Sequence, residues 1–346
     1  MRPVTHNEQP IGEAAIFDAL AASGPADRAF LRHRWFAAGT PSPATSFVAT
    51  DDAGSPCAAF ALVERRKGPL VLREVGGCYW PFRGVPVAPG IAAPDLSRAL
   101  AGHKNDLGRV WRLGPAETGD ASLETLIRAS QMAGWQVLFR PLGKVFELDL
   151  AALAAGDGWP SSKTQRKNRW RKRRLEEDGG PLRTVFFTGA DWTGDHRDAM
   201  ARIEAASWLG KLDDGGDTKF LDPAARRYWE DLCDDRALAE MLFGSVMWIG
   251  EVPAAFTFGI QAGGVRYYIA NNYDERFTQF GPGRVLLYED FARAAAHEVT
   301  RIGWGLGDAG YKSEMGAKAG PDMVDLLFVR GPLLAAALRR WWERPV

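Results

Sequence analysis

The sequence of 346 residues predicts a mixed α/β fold, of the α+β type, in two domains. Segments rich in β-branched and aromatic residues alternate with segments of helical periodicity in both halves of the chain. The length corresponds to about two domains at roughly 100–200 residues each. Hydrophobic residues make up 46% and charged residues 25% of the chain, a balance typical of globular proteins that bury a sizeable core.

The charge and cysteine content narrow the class of partner. Forty-three basic and 43 acidic residues cancel, so no overall field attracts nucleic acid or membranes, and any polyanion site must be local. The three cysteines, Cys57, Cys78 and Cys233, are widely spaced, which favours a reducing compartment over a zinc site or disulfides. We find no signal-peptide pattern and no apolar run of the ~20 residues that span a membrane. We therefore expect a cytoplasmic protein without a metal.

The first half predicts a domain over residues 1–158. Its helices are expected at 11–22 and 121–133, and its strands at 46–50, 57–64, 70–75, 109–113 and 136–150, the last broken at 141–143. An aromatic loop, 76–84, either lines a cleft or forms a packed turn. Because no Gly-x-Gly precedes a helix in this half, we assign it no cofactor.

A basic helix is predicted between the halves, over residues 159–180. Eight of the twelve residues 163–174 are Lys or Arg. Ser161 or Ser162 suits the N-cap, and Gly179-Gly180 suits the end of the helix. The helix is either an arm for nucleic acid or an acidic membrane, or a solvated helix paired with nearby acids. The neutral total charge and the single aromatic residue within 163–174, Trp170, disfavour nucleic acid.

The second half, residues 181–346, repeats the alternation. Its strands are predicted at 182–187, 242–249, 254–260, 265–274, 301–306 and 323–329, and its helices at 192–208, 223–233, 285–298 and 332–342. The strands from 242 to 274 form a meander with short turns. The charged, glycine-rich loop 210–217 is a candidate lid or substrate loop.

A glycine loop joins the strand 265–274 to the helix 285–298. It reads Gly281-Pro282-Gly283-Arg284. A helix N-terminus leaves N–H groups unpaired and carries the positive end of the macrodipole, and glycines let a ligand approach the backbone. These features suit a phosphate or pyrophosphate. On spacing alone a plain helix start is the favoured interpretation.

Four groups of residues occur in an order that is typical of one enzyme class. They are Glu204 with Ser207-Trp208, Tyr273-Asp274 with Phe277, Gly281-Pro282-Gly283 with Leu286-Leu287, and Gly307-Asp308 with Tyr311-Lys312. This combination resembles the GNAT acyltransferase superfamily. More narrowly, it is similar to the cellulose-biosynthesis-type acetyltransferases (the CelD/BcsL group), relatives of the FemAB-like transferases. The resemblance covers roughly residues 159–330. Thr278 stands where GNAT loops usually carry Gln or Arg, and Gln279 is next to it.

The resemblance implies tandem GNAT-like domains, each a mixed central sheet flanked by helices. Residues 1–158 would be a degenerate unit and 181–346 the acyltransferase domain. Residues 159–180 would be a basic inter-domain helix beside the site, with some of its cations facing a phosphate-bearing ligand, and this is the favoured interpretation of the helix. Acetyl-CoA or another acyl-CoA would be the co-substrate, bound by Gly281, Gly283 and Arg284, and no metal is implied.

Acyl transfer to an amine or hydroxyl requires a proton acceptor and a donor for the leaving thiolate. The five histidines lie in no nucleophile motif, which favours direct attack in a ternary complex. Glu204 and Asp308 are the candidate bases, the alternatives being a helix-surface acid and an Asx-turn residue respectively. Tyr311 either protonates the leaving sulfur or packs.

Five further residues are candidates for substrate binding. They are Trp208, Asn271, Tyr273, Asp274 and Lys312. The expected acceptor is a small molecule or a sugar. Two alternatives remain, a FemAB-like aminoacyl transferase that uses aminoacyl-tRNA and a non-catalytic scaffold of exopolysaccharide synthesis. The sequence specifies neither the acceptor nor the oligomeric state.

Overall fold

The computed structural model describes residues 12–39, 45–68, 70–156, 159–212, 217–308 and 310–343, excluding the side chain of Lys67. Its strands are β1 (Thr45–Thr50), β2 (Pro56–Lys67), β3 (Leu70–Val75), β4 (Val110–Glu117), β5 (Trp135–Asp149), β6 (Leu182–Thr188), β7 (Leu242–Ile249), β8 (Val252–Ala262), β9 (Val265–Tyr273), β10 (Arg301–Leu306) and β11 (Lys318–Arg330). Its α-helices are α1 (Glu13–Ser23), α2 (His33–Ala37), α3 (Ala93–Gly102), α4 (Lys104–Leu107), α5 (Ala121–Met132), α6 (Leu150–Ala155), α7 (Ser162–Gly179), α8 (Gly194–Ala206), α9 (Pro223–Leu232), α10 (Arg236–Met241), α11 (Pro282–Ala296), α12 (Tyr311–Glu314) and α13 (Pro332–Trp342). Part of the predicted loop 210–217 lies outside the described residues.

The chain forms two compact units whose boundaries differ from the predicted ones. Unit 1 comprises Met1–Ala37, Ser42–Leu142 and Val324–Val346, and unit 2 comprises Ala38–Pro41 and Gly143–Met323. The basic helix α7 is part of unit 2 and is not a separate linker. The boundary falls inside β5, which continues through the predicted break at 141–143, and inside β11. Local composition does not reveal such a division, because it is set by which strands pair.

Unit 1 contains strands in the order β1-β2-β3-β4-β11-β5. The pairs β1–β2 and β2–β3 are antiparallel, and β3–β4 is parallel. One core cluster of this unit consists of Leu72, Val110, Leu138, Leu327, Val329, Ala335 and Trp342. A cavity of about 50 Å³ in this unit is far smaller than the pockets that bind cofactors.

Unit 2 contains strands in the order β11-β5-β10-β9-β8-β7-β6. The antiparallel meander predicted for β7, β8 and β9 is confirmed. Helix α11 connects β9 to β10, and these two strands are parallel. The unit therefore combines an antiparallel meander with one parallel crossover in a mixed sheet.

The strands β9 and β10 create the space for a site. Their register pairs Val265 to Tyr267 with Arg301 to Gly303. Gly303 permits this close approach, because a Cβ there would lie 2.7 Å from Cδ1 of Tyr267. Further along β9, Ile269 is an extra residue opposite β8, a β-bulge of the kind found beside active sites. The last residues of β9 are thereby available to line a cleft.

Two helices of unit 2 border that cleft. Helix α11 buries Leu286, Leu287 and Phe291, so it is anchored in the core. Helix α7 buries a narrow stripe of Asn168, Arg171 and Leu175, spaced as one helical face. The side-chain oxygen of its N-cap, Ser161, accepts the Thr164 N–H at 3.3 Å, and Gly180 ends it with a φ of 103°, so the predicted caps are confirmed. No helix in the described ranges is long and apolar enough to cross a membrane.

Candidate active site

A cavity of about 870 Å³ lies in unit 2 at the C-terminal end of β9. Its size is within the range of ligand pockets. It brings together seven of the eleven predicted site residues, Trp208, Asn271, Tyr273, Gly281, Gly283, Arg284 and Tyr311. The other lining residues are Arg171, Leu209, Asp217, Ile269, Ala270, Asn272, Thr278, Gln279 and Leu287.

The glycine loop forms one side of the cavity. Gly281 has a left-handed backbone, with φ and ψ of 59°, and its carbonyl accepts the N–H groups of Arg284 at 3.1 Å and Val285 at 3.2 Å. Pro282 occupies the first helical position, which needs no N–H donor. The positive end of α11 thus opens at the cavity.

Gly283 serves a purpose that the sequence did not indicate. A Cβ at this position would lie 3.1 Å from Cδ1 of Tyr273. A larger residue here would require the Tyr273 ring to shift by a few tenths of an ångström, irrespective of any ligand.

Two arginines contribute positive charge at the loop. Arg284 lines the cavity and forms an ion pair with Glu314 at 2.9 Å. Arg171 reaches the cavity from α7, and its side chain is packed against Gly281. The sequence predicted that some cations of the basic helix face a ligand, but Arg171 was not singled out. The only available signal is its position between Asn168 and Leu175 on the least charged face of the helix.

Tyr311 and Asn271 meet on the cavity wall. The Tyr311 side chain hydrogen-bonds Asn271, and burial raises the pKa of the phenol above its usual value of 10.0. The ring is held edge-on against Trp304, with centroids 5.4 Å apart. This phenol stays protonated at neutral pH, as a proton donor requires.

Trp208 provides an exposed aromatic surface at the cavity. The 3₁₀ turn that carries it, Trp208–Lys211, is capped by Ser207, whose Oγ accepts the Leu209 N–H at 3.2 Å. The indole remains 55% exposed. Leu209 and Asp217 line the same cavity, which therefore contains an apolar surface and one carboxylate.

The structure does not support Glu204 as a base. The residue is fully buried, and its carboxylate accepts the backbone N–H groups of Lys219, Phe220 and Leu221, each at 2.8 Å. Burial raises its pKa and these hydrogen bonds oppose that shift. These three hydrogen bonds anchor the segment before α9. Glu204 is not among the residues that line the cavity, and both of its carboxylate oxygens already accept backbone N–H groups.

Asp308 also has a structural role. It is exposed, and its carboxylate accepts from Ser313 Oγ and from the N–H groups of Gly310 at 3.0 Å and Ser313 at 3.3 Å. The Ser313 contacts contribute most to lowering its pKa. This is the Asx-turn alternative, and a carboxylate with a lowered pKa outside the cavity lining is a poor base.

Lys312 and Asp274 are also not among the residues that line the cavity. Lys312 Nζ donates to the carbonyls of Gly305, Leu306 and Gly307, and burial lowers its pKa to about 8. The Asp274 carboxylate caps the following 3₁₀ turn and pairs with Arg276 at 2.5 Å. Both were predicted to bind substrate, and both instead hold turns at the ends of β10 and β9.

A family model matches the part of the chain that contains the cavity. Residues 162–313 match the family model described as an acetyltransferase (GNAT) domain. This matched segment contains the β9–loop–α11–β10 unit and all sixteen residues that line the cavity. Residues 162–313 thus form a GNAT acetyltransferase domain with a mixed sheet flanked by helices, and this domain makes the protein an acyltransferase.

Solved structures share this fold over nearly the whole chain. FemX is 13% identical with a TM-score of 0.63, covering 96% of this chain and 99% of its own. L-PGS from Bacillus licheniformis is 14% identical with a TM-score of 0.54, covering 96% and 98%. A tandem GNAT protein from the clavulanic acid biosynthesis pathway is 14% identical with a TM-score of 0.50, covering 92% and 95%. No curated protein sequence matches the chain.

Proposed function

We propose that the protein transfers an acyl group, with acetyl-CoA as the donor, to an amine or hydroxyl of a small molecule or sugar. The observation that carries the proposal is a single cavity lined by a helix N-terminus, two arginines and a protonated tyrosine. An anionic donor and a leaving thiolate need these two kinds of group.

The donor fits the glycine-loop side of the cavity. The N-terminus of α11, Arg171 and Arg284 would hold its phosphates. Acetyl-CoA supplies an activated thioester, and the residues of this chain orient it. Asn271 and Tyr311 lie on the wall formed by β9 and α12, within the same lining.

The acceptor fits the side formed by Trp208, Leu209 and Asp217. Asp217 is the one carboxylate in the described lining, and it is 87% exposed and paired with Lys219. We propose that an acceptor amine in its neutral form attacks the thioester directly, so that the C–N bond forms and the C–S bond breaks. Tyr311 donates its proton to the departing thiolate, and the proton released by the acceptor nitrogen returns to the phenolate through water. Proximity supplies much of the remaining acceleration.

A second candidate is aminoacyl transfer from aminoacyl-tRNA. The basic helix favours this candidate, because five of its cations are exposed and have no carboxylate within 4 Å in the part of the chain that the structure describes. They are Lys163, Arg166, Lys167, Arg169 and Arg173. The likeness to FemX is compatible with it. We rank it second, because the cavity cations face the glycine loop and the chain has no net positive charge.

The similarity to CelD/BcsL-type acetyltransferases suggests a sugar or amino compound as the acceptor. This similarity rests on the four motif groups of the sequence. Four of the charged residues in these groups form hydrogen bonds with backbone groups of nearby turns, namely Glu204, Asp274, Asp308 and Lys312. We propose a cytoplasmic location, where acyl-CoA is available and cysteine thiols stay reduced.

Calorimetry with acetyl-CoA tests the proposal. We expect the parent to bind, and Arg284→Ala to lose about 1.5–3 kcal/mol of binding free energy, because one charge-assisted hydrogen bond disappears. Arg293→Ala, on the same helix but outside this lining, is the matched control and should bind like the parent.

The control measurements separate the alternatives. Circular dichroism checks folding, and mass spectrometry of acceptor mixtures detects the acylated product. A folded parent that binds tRNA and not acetyl-CoA would replace the proposal with aminoacyl transfer. Binding of acetyl-CoA without any product in a broad acceptor panel would favour the non-catalytic scaffold.

A further inference from the structure

Arg171 is a buried cation in the middle of the basic helix. It is 9% exposed, whereas its basic neighbours Arg169, Arg173 and Arg174 are exposed. A Cβ on Gly281 would lie 3.7 Å from Arg171 Nε, so the guanidinium packs against the first glycine of the glycine loop. The side chain also lines the cavity.

Arg171 forms no ion pair with a carboxylate among the described residues. Its Nη1 donates to Asn168 Oδ1 at 3.0 Å, and no carboxylate lies within 4 Å of it among the described residues. Asn168 fixes the side chain without supplying negative charge. Burying an unpaired charge is costly, so a buried guanidinium normally has an anionic partner.

A second arginine at the same loop adds to this cost. Burial lowers the pKa of Arg171, and the charge of Arg284 lowers it further. Arg284 has its own partner in Glu314 at 2.9 Å, but Glu314 is 63% exposed and forms no ion pair with Arg171. The cavity therefore carries an excess of positive charge beside the first turn of α11.

We infer that Arg171 is a specificity-determining residue that selects a donor bearing a pyrophosphate, which it holds together with Arg284 and the N-terminus of α11. Arg171 recognises the anion from a helix outside the glycine-loop motif. A bidentate guanidinium suits neighbouring phosphate oxygens, and the rigid attachment to Asn168 prepares it in advance. This inference rests on the proposed acyl-CoA chemistry and adds the residue that would distinguish CoA thioesters from shorter ones.

Arg171→Met tests the inference, because it removes the charge while keeping the length and the apolar packing of the stem. We expect the affinity for acetyl-CoA to fall by about 10- to 100-fold. The affinity for S-acetyl-pantetheine, which lacks the pyrophosphate, should stay within about twofold. The unfolding midpoint without ligand should be unchanged or higher, since an uncompensated buried charge is removed.

Two control variants sharpen the measurement. Arg174→Met changes an exposed arginine of the same helix that pairs with Glu177 at 2.7 Å, and it should leave both affinities unchanged. Arg171→Lys keeps the charge but loses the planar fork, so it should recover part of the acetyl-CoA affinity.

Each other outcome has a definite meaning. Equal losses for both thioesters together with a lower unfolding midpoint would make Arg171 a packing residue and overturn the inference. Unchanged acetyl-CoA affinity in Arg171→Met would overturn it as well. If the parent binds no acetyl-CoA, the proposed function fails, and inorganic pyrophosphate becomes the probe. Arg171-dependent pyrophosphate binding would then retain the anion site, and its absence would remove it.

Discussion

Tyr311 is the residue for which position and chemistry agree most closely. It lines the cavity, is oriented by Asn271 and Trp304, and has a raised pKa because it is buried. Such a phenol is a proton donor over the whole neutral range. It was one of three candidates for a catalytic role, and the structure leaves it as the one in the cavity lining.

For Tyr311→Phe we expect kcat to fall by roughly 10²–10⁴-fold, the range for general acid catalysis, with little change in acetyl-CoA affinity. Steady-state kinetics over pH 6–10 provides the measurement. Activity of the parent should rise as the acceptor amine loses its proton, with no decline due to Tyr311 below pH 10, because its pKa is raised above 10.0. Tyr228→Phe, outside the lining, is the control. Parental kcat in Tyr311→Phe would assign the tyrosine to packing.

The four predicted residues outside the cavity share one property. Glu204, Asp274, Asp308 and Lys312 each bind backbone groups of turns near the site. Unpaired backbone groups near helix and strand ends need partners, and charged side chains supply strong ones. These four residues therefore lie close to the functional motifs because they stabilise the turns that border the site.

At the scale of elements, the caps of unit 2 determine where its helices begin. Helix α8 starts with a capping box in which Thr193 Oγ1 accepts the His196 N–H and His196 Nδ1 accepts the Thr193 N–H, both at 3.4 Å. The His196 ring stacks on Phe187 with centroids 4.6 Å apart. The imidazole must be neutral to accept this hydrogen bond, and burial lowers its pKa below 6.5.

We expect acid to weaken this cap. Because the folded pKa of His196 is below its unfolded value of 6.5, the unfolded chain binds the proton more readily. The stability that neutral His196 contributes to the folded protein is present above pH 6.5 and is lost as the pH falls through the pKa of His196 in the folded protein. His196→Gln keeps a capping-box side chain that does not titrate. Urea unfolding at pH 7 and pH 5 should show a larger loss of stability for the parent. Parallel losses in the two proteins would contradict this role for His196.

At the scale of the whole molecule, each unit has its own buried ion cluster as well as its own core. In unit 2, Arg266 pairs with Asp290 at 2.9 Å, and Tyr268 donates to the same carboxylate. In unit 1, Asp325 is 1% exposed and pairs with Arg112 and Arg140. Such clusters do not need to add net stability, but removing one member leaves the others uncompensated.

Asp325→Ala should therefore destabilise the protein by about 3–5 kcal/mol, the range for breaking a buried ion pair. Chemical denaturation followed by circular dichroism measures this loss. Glu343→Ala, which breaks the exposed pair with Arg339 in the same unit, should cost only about 0.3–0.5 kcal/mol. A cost for Asp325→Ala as small as that of the control would show that the cluster relaxes or hydrates when opened.

Features that depend on neighbours within one or two turns were predictable from the sequence alone. These are the strand β9, the glycine loop, the strand β10 and the caps of α7, because backbone preference and periodicity act locally. Helix α11 begins at Pro282, three residues before its predicted start. The mixed α/β fold follows from the order of these segments.

Only the tertiary structure decided which charged groups face the cavity and where the units divide. Glu204 and Arg171 are both charged helix residues. Glu204 accepts backbone N–H groups that lie fifteen to seventeen positions further along the chain, whereas Arg171 contacts a loop more than a hundred positions further along. The same applies to β5 and β11, whose partners set the boundaries of both units. The physical reason is that burial and counter-charge depend on contacts between residues distant in the chain, which no local pattern records.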